Sequence, residues 1–81
     1  MKKIESLEQL KKDSEDTHLE CFILLGGLAR SSKTFSYFPE TDTWDVLHEI
    51  DNTWEEDVST DHLKDFTNVI TALEKGALWA Y

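Results

Sequence analysis

The sequence predicts an α+β domain: a small antiparallel sheet of three to four strands, with an N-terminal helix and a C-terminal helix packed on one face. Three observations carry this expectation. A capping-box tetrad stands near the start, an almost continuously apolar stretch of seven residues follows it, and the last third returns to helical spacing.

Ser6-Leu7-Glu8-Gln9 places a hydroxyl three residues ahead of an amide side chain, the pattern by which two orphan backbone N–H groups at a helix start are satisfied. A short helix is expected from there, with Ile4, Leu7 and Leu10 as a narrow apolar stripe, ending before Asp16 and Thr17. Leu19 to Leu25 is almost continuously apolar and stops at Gly26-Gly27, which suits a central strand covered on both faces. Thr34 to Tyr37 and Trp44 to Ile50 alternate around the turn-forming cluster Pro39-Glu40-Thr41-Asp42-Thr43, so they read as a hairpin. Its second arm would put Trp44, Val46, His48 and Ile50 on one face, and Asp45, Leu47 and Glu49 on the other.

Asp51-Asn52-Thr53 reads as a further turn, and Trp54 to Val58 as a short edge strand whose acids discourage edge-to-edge pairing. Ser59 or Thr60 can then cap a helix carrying Leu63, Phe66, Ile70, Leu73 and Ala77, stopped by Lys75-Gly76. Thr67-Asn68 can divide that stretch into two helices, because Asn caps well and sits poorly inside a helix.

At 81 residues the chain is read as one domain, residues 1–81, with a core small enough that a partner chain would add useful stability. The lone Cys21 has no intramolecular disulfide partner, and its apolar neighbours predict a buried thiol suited to a reducing compartment. Charge recurs through the N-terminus with no apolar stretch of secretory or membrane-spanning length, so a cytoplasmic location is expected.

The net charge of -9 is localised. Residues 1–39 carry six basic and six acidic side chains, and residues 66–81 carry one of each. Residues 40–65 hold ten carboxylates against Lys64, so the whole excess lies there. Such a field repels nucleic acid and anionic lipid and steers basic partners inward.

Gly27 to Thr34 approaches the phosphate-loop pattern G-x-x-x-x-G-K-[ST], with Ser32 in place of the second glycine. The motif works at the start of a helix, where backbone amides converge on phosphate, whereas Thr34 here opens an expected strand. Nucleotide or phosphate binding through residues 27–34 is thus the remote alternative, with Arg30, Ser32 and Lys33 as its anion contacts. His18 and Cys21 have metal-like spacing but should face opposite sides of a strand, and a calcium loop starting at Asp51 has Glu56 where glycine is required. His48, Glu49 and Asp51 are similarly split. No metal, cofactor or enzymatic role is expected, for want of a convergent catalytic set.

What remains is a non-enzymatic binder: a regulator or inhibitor of a basic protein, in one form a mimic of nucleic acid. Asp45, Glu49, Asp51, Glu55, Glu56, Asp57 and Asp61 would meet that partner, with Trp54 as an aromatic anchor. The alternative is an oligomeric structural domain, a homodimer for instance, whose acids only confer solubility.

Leu25 to Thr34, Glu49-Ile50-Asp51, Thr67-Asn68 and Glu74 to Leu78 together resemble short uncharacterised bacterial proteins carried on phages and other mobile elements. The resemblance covers roughly residues 19–81. It implies an inhibitory or accessory role and brings no activity, cofactor or site residue.

Overall fold

The computed structural model describes residues 1–25, 29–49, 51–66 and 69–81. In chain order the elements are β1 (Lys2–Lys3), α1 (Leu7–Asp13), β2 (Leu19–Leu25), β3 (Ala29–Phe38), β4 (Thr43–His48), β5 (Thr53–Ser59), α2 (Thr60–Phe66), α3 (Val69–Glu74) and β6 (Leu78–Ala80). The six strands form one sheet in the order β1-β6-β2-β3-β4-β5, every neighbouring pair antiparallel.

This corrects the expected architecture of three to four strands between two terminal helices. The sheet has six strands, the helices number three among the described residues, and the chain both enters and leaves through strands. The two additional strands are those without a local signal. Lys2–Lys3 has no apolar pattern, and Leu78–Ala80 is too short to show alternation. They exist because β6 inserts between β1 and β2, with Trp79 opposite both Lys3 and Phe22.

Several local expectations agree with the structure. Ser6 accepts the Gln9 backbone N–H at 3.1 Å, and Gln9 Oε1 reaches back to the N–H of Glu5. The β3–β4 hairpin and the β5 edge strand form where turn chemistry placed them. Ser59 Oγ takes the His62 N–H at 3.1 Å at the start of α2. The helical stretch is divided: α2 ends at Phe66 and α3 begins at Val69, while Thr67 and Asn68 lie outside the described residues. At the end of α3, Ala77 N–H bonds Ala72 O and Gly76 N–H bonds Leu73 O, with Gly76 at φ +65°: a Schellman cap.

Residues directly opposite one another in antiparallel strands share a face, so the register assigns the two sides of the sheet. One side carries Cys21, Ile23, Phe35, Tyr37, Trp44, Val46, Val58, Leu78 and Ala80. All are buried and form a single cluster with Ile4, Leu10 of α1, Leu63 of α2, and Val69 and Ala72 of α3. The segment after α1 is tied to β3, since Tyr37 N–H donates to Ser14 O at 2.8 Å and Asp16 N–H donates to Tyr37 O at 3.0 Å.

Among the described residues no helix packs over the other side. Large apolar side chains exposed there include Leu24 and Trp54, and Met1 and Tyr81 lie beside it, so β2 is only partly covered on its second face. Among the described residues no helix is long and apolar enough to cross a membrane.

Candidate functional site

On the open side, strand alternation and one bulge assemble a cleft of about 330 Å³ lined by His18, Asp45, Trp54 and Glu56. Trp54 and Glu56 are two residues apart on β5 and therefore point the same way. Asp45 comes from β4 next door, where the register shifts between Trp44 and Val46. Trp44 lies opposite Val58 and Val46 opposite Glu55, so Glu56 and Asp57 together face Asp45. Asp57 takes a left-handed φ of 54° at this bulge, and its N–H bonds Asp45 Oδ1 at 3.3 Å.

His18 completes the cleft from across the sheet. Leu19 is opposite Phe35, which puts His18 alongside Ser36, and Ser36 is itself opposite Asp45. The imidazole meets the Trp54 ring with centroids 5.3 Å apart at a tilt of 46°. Trp54 nevertheless stays 43% exposed, the two carboxylates stand beside it, and no Lys or Arg is among the lining residues described. The ion pairs Lys2–Asp13 and Lys11–Asp42 draw on neither Asp45 nor Glu56. Among the described residues neither carboxylate is in an ion pair, so the cleft sets a part-exposed indole beside two acidic side chains.

The predicted partner-binding residues do not form one surface. Asp45, Trp54 and Glu56 converge. Asp57 supports them through its backbone, while Glu55, opposite the core-facing Val46, belongs to the helix side of the edge strand. Glu49 is taken up by Thr34, whose hydroxyl donates to Glu49 Oε1 at 2.8 Å. Asp51 sits in the β4–β5 turn, where the Thr53 hydroxyl bonds its carboxylate at 2.9 Å and holds it below the ordinary carboxylate range. Asp61 occupies the first turn of α2 and is not among the residues lining the cleft. His18 was not foreseen as a cleft residue, because its place depends on a register spanning β2 to β5 that no local pattern reveals.

The phosphate-loop alternative finds no converged set. Gly26, Gly27 and Leu28 lie outside the described residues, and Thr34 falls inside β3. Ser32 is opposite Phe22 on the open side, whereas Lys33 is opposite Cys21 on the core side, with its Nζ 3.5 Å from Ser31 Oγ. Arg30 is opposite Leu24 in register; its side chain lies outside the described part. Cys21 is fully buried, and burial, reinforced by Asp13 and Glu49, pushes its thiol up to about 12, the opposite of what a nucleophile needs. Among the described residues no three His, Cys, Asp or Glu side chains are grouped to hold a metal ion.

A second, apolar cleft of about 200 Å³ lies at the far end of the same side, lined by Met1, Phe22, Leu24 and Trp79. Phe22 packs on Tyr81 at 4.8 Å, and the Lys3 ammonium stands 5.9 Å from the Trp79 ring centroid. Compared with protein families, curated proteins and solved structures, the chain matches none of them.

Proposed function

We propose that this chain is a small acidic, non-enzymatic binding protein that regulates or inhibits a basic protein partner, engaging it through the β4–β5 end of its open sheet face. The observation that carries the reading is the convergence of Asp45, Trp54 and Glu56, all from the acidic third of the chain, on one cleft with His18. The surrounding surplus of carboxylates raises the encounter rate with a basic surface, and the exposed indole supplies a desolvating anchor. A nucleic-acid-binding protein offers such a surface, which makes competition with nucleic acid the natural mode of inhibition. A cytoplasmic setting and the resemblance to proteins of mobile elements are consistent with that role.

The test is affinity capture on the immobilised protein, eluted with a salt gradient, beside a variant carrying Glu55→Gln, Glu56→Gln and Asp57→Asn. The native protein should retain basic proteins that moderate salt releases, and the variant should lose them. Identical captures by the two would sink this reading.

A second reading, homodimerisation, is favoured by the apolar cleft between Phe22, Leu24 and Trp79. It lies in the part of the chain whose charges sum to zero, so a second copy can approach there without meeting the acidic segment. Sedimentation at rising concentration would reveal such a dimer, and Leu24→Glu should dissociate it.

A further inference from the structure

We infer that the cleft lined by His18, Asp45, Trp54 and Glu56 binds an arginine side chain in preference to lysine, so that the basic partner is recognised through a guanidinium; this rests on the binding role proposed above. The volume, about 330 Å³, is at the small end for ligand pockets, suited to one inserted side chain rather than to a folded element. Its walls are chemically paired. Trp54, 43% exposed, offers the part of its indole that His18 does not cover, His18 packing on it with centroids 5.3 Å apart, and Asp45 and Glu56 offer carboxylate oxygens from adjacent strands.

A guanidinium uses both kinds of wall at once. It is planar, stacks on aromatic faces, is weakly hydrated, and carries a fork of N–H donors that matches carboxylate oxygens. A lysine ammonium is a compact and strongly hydrated point charge, which gains from the carboxylates but makes poorer use of the rings. The cleft is also held in shape before any ligand arrives. The Asp57 N–H orients Asp45, and His18 braces Trp54. Little ordering is then left to oppose binding. Two of its lining residues, Trp54 and Glu56, stand on the edge strand β5, so an arginine carried on an extended or flexible segment can approach without displacing another strand.

The test uses the full chain and three peptides of one glycine–serine sequence bearing arginine, lysine or neutral citrulline at the same positions. Binding is followed by nuclear magnetic resonance at the Trp54 indole N–H and, in every variant including Trp54→Ala, at the Glu56 backbone amide. Arginine peptide should bind saturably, lysine peptide roughly fivefold more weakly, and citrulline peptide not measurably. Trp54→Ala should erase the arginine preference. Asp45→Asn, which keeps an acceptor for the Asp57 N–H, and Glu56→Gln should each weaken arginine binding by roughly three- to tenfold. Glu74→Gln, on α3, should leave it unchanged, and thermal melts establish that each variant is folded.

Equal affinity for arginine and lysine, insensitive to Trp54→Ala, would overturn the cleft assignment while leaving the acidic-surface reading intact. No response to the arginine peptide at Trp54 would do the same if salt-sensitive capture of basic proteins persists. Citrulline binding as tightly as arginine would overturn both.

Discussion

The indole N–H of Trp44 donates to Thr60 Oγ1 at 3.0 Å, joining the start of β4 to the first residue of α2. Trp44 is fully buried and packs on Tyr37 at 4.7 Å and Phe35 at 6.2 Å between ring centroids. Its one polar atom would be stranded in the core without that hydroxyl. Thr60→Val, nearly isosteric, should therefore lower stability by about 1–3 kcal/mol in urea unfolding, and Thr60→Ser should recover most of the loss. Equal stability of the valine variant would mean that the indole finds another acceptor.

Tyr37, Asp42 and Lys11 form a second tie, between α1 and the β3–β4 turn. The phenol donates to Asp42 Oδ1, and the Lys11 ammonium lies 3.5 Å from the same oxygen and 5.3 Å from the Tyr37 ring centroid. The Asp42 hydrogen bond, then burial, pushes Tyr37 up from 10.0 to about 12, while the same bond and Lys11 hold Asp42 below its ordinary range. The raised tyrosine stabilises the fold fully below pH ~10, and that contribution disappears as pH climbs through about 12. The lowered carboxylate contributes above pH ~4, and its share is lost as pH falls through the folded-state value. Tyrosinate absorbance should show a late component that Tyr37→Phe removes and Asp42→Asn moves towards the ordinary tyrosine range. An unchanged profile in both variants would contradict the tie.

Cys21 allows the rigidity of the central strand to be read chemically. It is fully exposed only when β2 parts from β3 and β6, because its side chain is enclosed in the core and its thiol is raised to about 12. Disulfide-exchange labelling at neutral pH should run at least about a hundredfold slower in the native protein than in urea. The logarithm of its rate should rise in Thr60→Val in proportion to the lost stability, about tenfold per 1.4 kcal/mol. Rapid labelling of the native state would place the thiol near the surface.

These residues also show where the sequence was readable. Ser6, Ser59, Gly76 and the Pro39–Thr43 turn act through groups within a few positions of themselves, and each forms the structure its chemistry implies. The Trp44–Thr60 bond, β1 and β6 depend on partners far along the chain. Trp79, for example, pairs with both Lys3 and Phe22, and neither pairing leaves a local trace. The acidic segment was legible as composition, not as a surface. Glu55 and Glu56 are adjacent in sequence yet belong to opposite sides of β5; alternation puts Glu56 beside Trp54 and Asp45, and the bulge at Asp57 then brings Val58 opposite Trp44 on the core side.

Gly76 separates backbone preference from packing. Its φ of +65° closes the cap between α3 and β6, and a Cβ there would lie 2.9 Å from Lys3 Nζ and 3.1 Å from Lys3 Cε. The obstructing atoms are the end of a flexible side chain, free to swing away from its position near Trp79, so sterics cost little. The left-handed backbone costs more, because an L side chain is disfavoured there whatever the space. Gly76→Ala should destabilise by about 1 kcal/mol, and Gly76→Asn by less, since Asn visits this region more readily. Lys3→Ala combined with Gly76→Ala separates the two causes. Losses that add within about 0.5 kcal/mol support the backbone explanation. A double variant more stable than Gly76→Ala alone would instead show that Lys3 crowds the cap.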